Sequence, residues 1–226
     1  MSTEFFDAIK RGDMEEVERH LQLDPILIHA RENGLSPIMV AAYHQEPVIA
    51  SFLADKTVAI TIFEAAATGK INNVIRLLAR DPDKVNAFSE DGFQPLGLAC
   101  FFGQYDVAEY LLKAGAAVNA KSHNGLQAAP IQSAAAGRHR KIVKLLLDHG
   151  ADPNLREANG FTPLHAAAQN GDEETIRTLL FGGADLTLKS NDGKTALDLA
   201  MEAGHERATL LLGEGITKRF QTKKQL

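Results

Sequence analysis

Gly193-Lys194-Thr195 has the residue types that close a phosphate-binding loop, in which backbone amides and a lysine cradle phosphate oxygens. That loop also requires a glycine five positions before the Gly-Lys pair, and position 188 is Leu. His205-Glu206 opens like the helix of a zinc protease, but residue 209 is Thr, so the second imidazole is missing. The eight histidines show no metal-ligand spacing. Cys100 is the single cysteine, which rules out a disulfide within these 226 residues and any multi-thiolate site. Between Ala99 and Phe101 it has no cation to favour its thiolate, and it reads as a small hydrophobe. No Ser/His/Asp constellation can be singled out. No catalytic residue, metal or cofactor is expected, and no small-molecule substrate; function is to be sought on a surface.

The composition narrows that surface. The 24 basic and 29 acidic residues give a net charge of −5, without the basic surplus of a protein that binds nucleic acid by displacing counterions. With 23% charged and 45% hydrophobic residues, the chain is not of a disordered type. Only 6% is aromatic, as 11 Phe and 3 Tyr with no Trp, so the core must be aliphatic and small. No run approaches the ~20 apolar residues of a membrane span. The first residues lack the basic start and apolar run of a secretory signal, and a cytoplasmic location is expected.

Self-comparison supplies the elements. Gly92, Gly125, Gly160 and Gly193 each open a similar phrase, at spacings of 33, 35 and 33. About 20 residues beyond, a second phrase recurs around Leu111-Leu112, Leu146-Leu147 and Leu179-Leu180, followed each time by Gly and Ala. Asp-Gly or Asn-Gly supplies the positive φ of a tight hairpin tip, and Pro then starts a short helix at its first position. A second helix closes on a glycine in the left-handed cap, such as Gly115. Neither helix is long enough to stand alone, so stability must come from stacking. The small pairs Ala41-Ala42, Ala65-Ala66, Ala99-Cys100, Ala134-Ala135 and Ala167-Ala168 allow the close approach.

Gly160-Phe161-Thr162-Pro163-Leu164-His165-Ala166-Ala167-Ala168 and Leu146 to Asn154 resemble the ankyrin repeat, with its Gly-x-Thr-Pro-Leu-His-x-Ala-Ala and Leu-Leu-x-x-Gly-Ala-Asp-x-Asn phrases. The resemblance covers roughly residues 3–213. It implies an all-α repeat solenoid of about seven helix-turn-helix units with hairpin tips. The first helices fall near 3–11, 37–44, 61–68, 95–102, 130–137, 163–170 and 196–203. The chain also looks like small bacterial cytoplasmic ankyrin proteins. Residues 1–213 form one array with polar terminal caps, and 214–226 a basic, flexible tail. One hairpin is missing between units two and three, where Thr57-Val58-Ala59-Ile60 joins the helices directly. Unit five instead carries a two-residue insertion in its finger. In the family phrase the histidine has a structural role, which would fall to His165, and to His139 and His205 after the inter-helix turns.

The family's usual binding surface is the concave face of hairpins and first helices. Leu96, Ala99 and Cys100 share one arc of the unit-four helix and Phe101 falls outside it. Phe101 and Phe102 occupy the two positions that the family commonly varies for binding, and Tyr43 is an equivalent in unit two. The hairpin tips add Phe93, Leu126 and Phe161. These six residues are the expected protein-binding site of a non-catalytic interaction module with an unidentified protein partner; the alternative is a homo-oligomer closed by the same patch. Two other readings stay open here. The rings could fold back as packing between units, with Tyr43 filling the space of the missing hairpin. The basic clusters Arg138, Arg140, Lys141 and Lys144, and Lys218, Arg219, Lys223 and Lys224, read as a solvated turn and a frayed end, or as contacts for an acidic partner.

Overall fold

The computed structural model describes the backbone of residues 2–223 and the side chains of residues 2–215. Fourteen α-helices follow one another in seven pairs among these residues. They are α1 (Ser2–Lys10) with α2 (Met14–Leu23), α3 (Pro37–Tyr43) with α4 (Pro47–Lys56), and α5 (Ile62–Ala67) with α6 (Ile71–Arg80). Then come α7 (Pro95–Phe101) with α8 (Tyr105–Lys113), α9 (Pro130–Ala136) with α10 (Arg140–Asp148), α11 (Pro163–Gln169) with α12 (Glu173–Phe181), and α13 (Ala196–Glu202) with α14 (Glu206–Lys223). This is the all-α repeat array that the spacing predicts.

The helices begin where the local chemistry starts them. Proline stands at the first position of α3, α7, α9 and α11, where its missing N–H costs nothing. Thr61 and Thr195 instead form capping boxes with Glu64 and Asp198, each hydroxyl accepting from the backbone three residues on while the carboxylate accepts from the threonine amide. The first helices bury alanines completely at Ala41, Ala65, Ala99, Ala134, Ala167 and Ala200. Consecutive first helices pack on one another, and a continuous apolar core runs from Phe5 to Leu212. Short helices thus gain from stacking what they lack alone.

Three asparagines tie the second halves of the units together. Asn86 donates to the Gly115 carbonyl at 3.2 Å and accepts from Ala117 at 2.9 Å. Asn119 does the same with Gly150 and Asp152, and Asn154 with Gly183 and Asp185. The turns between paired helices add a second tie: Gln104 Nε2 donates to the Ala67 carbonyl, while His139 and His205 bond the carbonyls of Phe101 and Gln169 at 3.0 Å.

The fingers close by tight turns. Among the described residues their pairing reaches only one isolated bridge, Glu32 to Leu35, because two or three residues per side are too few for a strand. Successive fingers are nevertheless bonded to each other through His123 N–H to Gly92 O, Ala158 N–H to Leu126 O and Asn191 N–H to Asn159 O, at 2.8–2.9 Å. Gly92, at φ 80°, lies so near the His123 backbone that a Cβ would come within 2.8 Å of it.

Three details differ from the sequence reading. In unit five the positive φ falls on Gln127 (51°) and not on Gly125, because the insertion moves the turn to Asn124–Gln127, where the Gln127 amide donates to Asn124 O. Two 3₁₀ turns, Pro25–His29 and Pro82–Asn86, lead into the fingers of units two and four, each after an Asp-Pro step. The link between α4 and α5 has no finger, as expected. Finally, α14 continues to Lys223, since no Gly-Ala-Asp turn interrupts it. The side chains of Lys218, Arg219, Lys223 and Lys224 lie outside the described residues.

Candidate functional site

The finger side of α7, α9 and α11 carries a groove of about 560 Å³. Tyr43, Phe93, Phe101, Leu126 and Phe161 all line it, so the structure brings five of the six expected residues to one place. Each arrives there for a local reason. Phe101 is in the last turn of α7, off the arc that buries Leu96, Ala99 and Cys100, and it stays 42% exposed. Leu126 rides the lengthened finger of unit five and is 52% exposed. Phe93 and Phe161 stand just after the finger turns of units four and six and are half-buried.

Phe102 is the exception. It is half-buried, edge-on to Phe101 at 5.1 Å between centroids, and tilted against Tyr43 at 5.4 Å. It faces a neighbouring groove of about 530 Å³ near the helix-pair turns and belongs to a small apolar cluster with Met39, Ala67 and Leu98. Phe93 packs against the same cluster along its inner edge. The packing reading therefore holds for Phe102 and for part of Phe93, while Phe101 and Leu126 are open.

Tyr43 reaches across the unit that lacks a finger. Its hydroxyl donates to Asp91 Oδ2 at 2.5 Å, bridging from α3 to the finger of unit four. Burial, then the Asp91 carboxylate, push its pKa well up, so the hydroxyl keeps its proton and remains a donor. Asp91 also accepts from Ser89 Oγ, which fixes the carboxylate at the finger tip. Across the groove, Glu157 Oε1 accepts from the amides of Asn159 (2.9 Å) and Phe161 (3.0 Å). Gln132 lies at the base, its Nε2 donating to the carbonyls of Leu155 and Phe161.

The polar lining residues Asp91, Gln132, Glu157 and Asn159 were not singled out in the sequence. Their signal is present all the same, since Asp91 and Asn159 precede the tip glycines and Gln132 occupies the position of His165.

The groups considered for chemistry have other tasks. Thr162 N–H donates to His165 Nδ1 at 3.2 Å, which puts the imidazole proton on Nε2, bonded to the Lys194 carbonyl at 3.0 Å. Burial holds its pKa below the ordinary value. Cys100 is fully buried, and burial alone pushes its thiol far up. Lys194 pairs with Glu202 at 2.6 Å. No three His, Cys, Asp or Glu side chains come together to hold a metal among the described residues. At the turn of unit five, Arg138 donates to Asn170 O, Arg140 pairs with Glu174, and Lys144 with Asp148.

A family model describing ankyrin repeats (three copies) matches residues 5–122 and 131–222, nearly the whole chain. The chain belongs to the ankyrin repeat family. Ankyrin repeats generally serve as protein-interaction modules without catalysis of their own. The chain is 35% identical over 103 residues to the ankyrin repeat and KH domain-containing protein mask of Drosophila melanogaster, a match covering 44% of this chain and 2% of that protein. It is 36% identical over 101 residues to the ankyrin repeat and SAM domain-containing protein 6 of Rattus norvegicus, covering 45% and 11%. A putative ankyrin repeat protein of Rickettsia felis is 42% identical over 69 residues, covering 30% of each. The ankyrin array thus matches only a small part of the first two relatives. No helix among the described residues is long and apolar enough to cross a membrane.

Proposed function

We propose that the chain is a non-catalytic binding module that holds a partner protein in the groove between the fingers and the first helices of units four to six. The observation that carries this is the exposure of Phe101 and Leu126 on a groove whose walls are Tyr43, Phe93 and Phe161. A Phe buried fully by a partner contributes roughly 1.5–3 kcal/mol before the costs of association. We read residues 1–213 as one array with a basic extension at 214–226, and the single cysteine as fitting a cytoplasmic setting.

The test separates the groove from exposed apolar surface elsewhere. Phe181, at the end of α12, is 98% exposed and does not line the groove. Proteins captured from native lysate by wild type and by the Phe181→Ser control should be lost on Phe101→Ser/Leu126→Ser. Because both groove residues are exposed, the double variant should keep its stability within about 1 kcal/mol. Identical partner lists for all three proteins overturn the assignment. Self-association through the same surface is the competing reading. A concentration-independent monomer mass by size-exclusion chromatography with light scattering removes it.

A further inference from the structure

The groove is not uniformly apolar. Asp91 and Glu157 line it on opposite sides, and no lysine, arginine or histidine does. Neither carboxylate forms an ion pair among the described residues. Both are held in place, Asp91 by Tyr43 and Ser89, and Glu157 by two backbone amides, so neither can swing out to water as a partner closes over it. A wholly apolar ligand would strip water from two fixed negative charges and return nothing, and an acidic ligand would add repulsion. A ligand with a cation beside its apolar anchor meets both demands, since both Asp91 oxygens and Glu157 Oε2 accept one hydrogen bond each and keep a lone pair for a further donor.

From this charge complementarity, and resting on the groove reading above, we propose that the occupant is a short segment of a partner protein carrying a bulky aliphatic or aromatic side chain with a lysine or arginine close to it in sequence. The anchor enters beside Phe101 and Leu126, and the cation sits at Asp91 or Glu157. The exposed Glu90 at the adjoining finger tip adds to the same field.

A random peptide library is selected on the immobilised full chain, on Phe101→Ser/Leu126→Ser, and on Asp91→Asn/Glu157→Gln. The amide variants keep an acceptor oxygen for Tyr43 and for the backbone amides while removing the charge; unchanged thermal unfolding verifies that the finger bonds survive. Expected are wild-type peptides with an apolar residue flanked by Lys or Arg, which fail to bind the groove variant. On the amide variant they should bind about two- to fivefold more weakly per carboxylate, with a reduced salt dependence. Peptides that need the groove but show no basic preference, or bind the amide variant equally well, overturn the cationic occupant and leave the groove reading standing. Peptides that bind the groove variant as well as wild type overturn the groove itself. Failure to enrich any peptide overturns the occupant proposed.

Discussion

His165 shows how a residue type that suggests chemistry is used up by structure. Both ring nitrogens are engaged, one accepting from Thr162 and the other donating to Lys194 O, and burial disfavours the protonated ring more than the Lys194 carbonyl favours it. With the folded pKa below the ordinary ~6.5, the unfolded chain takes up the proton first as pH falls. The contribution of this site is therefore full above about pH 6.5 and is lost as the pH drops from there through the folded value. Unit five solves the same problem without a titrating group: Gln132 accepts from Ala129 N–H at 2.7 Å and donates to two carbonyls. His165→Gln should keep the bonds and remove the titration. Urea midpoints at neutral and mildly acidic pH should fall less for the variant than for wild type; equal falls would show that His165 is not the group involved.

At the scale of elements, Asn86, Asn119 and Asn154 each join one unit to the next. Asn119→Ala leaves Gly150 O and Asp152 N–H to partly exposed surroundings, so a loss of about 1–2 kcal/mol is expected in chemical denaturation. A change below a few tenths would show that water replaces the side chain at no cost. Most elements were legible because Pro, Gly and the Ala pairs punctuate them: every paired helix lies within a few residues of its expected place, α14 apart. The 3₁₀ turns at Pro25 and Pro82 were not legible, because an Asp-Pro step ends a helix as readily as it starts a new turn. The shift from Gly125 to Gln127 escaped because the insertion changes the turn type, and Asn-Gly does not reveal its own register. In the groove, helical geometry separated Phe101 from the buried arc. It could not say that Phe102, one residue past the helix end, would turn toward Tyr43 and Met39, because those residues stand on α3, two units away.

Across the whole molecule the units are not joined equally. The asparagine ties begin at Asn86, so units one to three lack them, and α3 packs on α5 more sparsely than any other consecutive pair of first helices. The seam is spanned by the apolar core, by Lys70, which pairs with Asp55 at 2.7 Å and donates to Ser51 Oγ at 2.9 Å, and by the Tyr43 bond to Asp91. Hydrogen exchange should show α1 to α4 opening at lower free energy than α7 to α12, with Tyr43→Phe widening the difference. Uniform protection along the array would contradict the seam. The same bond bears on how the chain is made. Most ties between units join residues 29 to 38 apart, so each can form once the neighbouring unit has been made. Tyr43 must wait 48 residues for Asp91. At the usual ~5–20 residues per second that is about 2–10 s, during which units one and two stand without the brace that closes their exposed end.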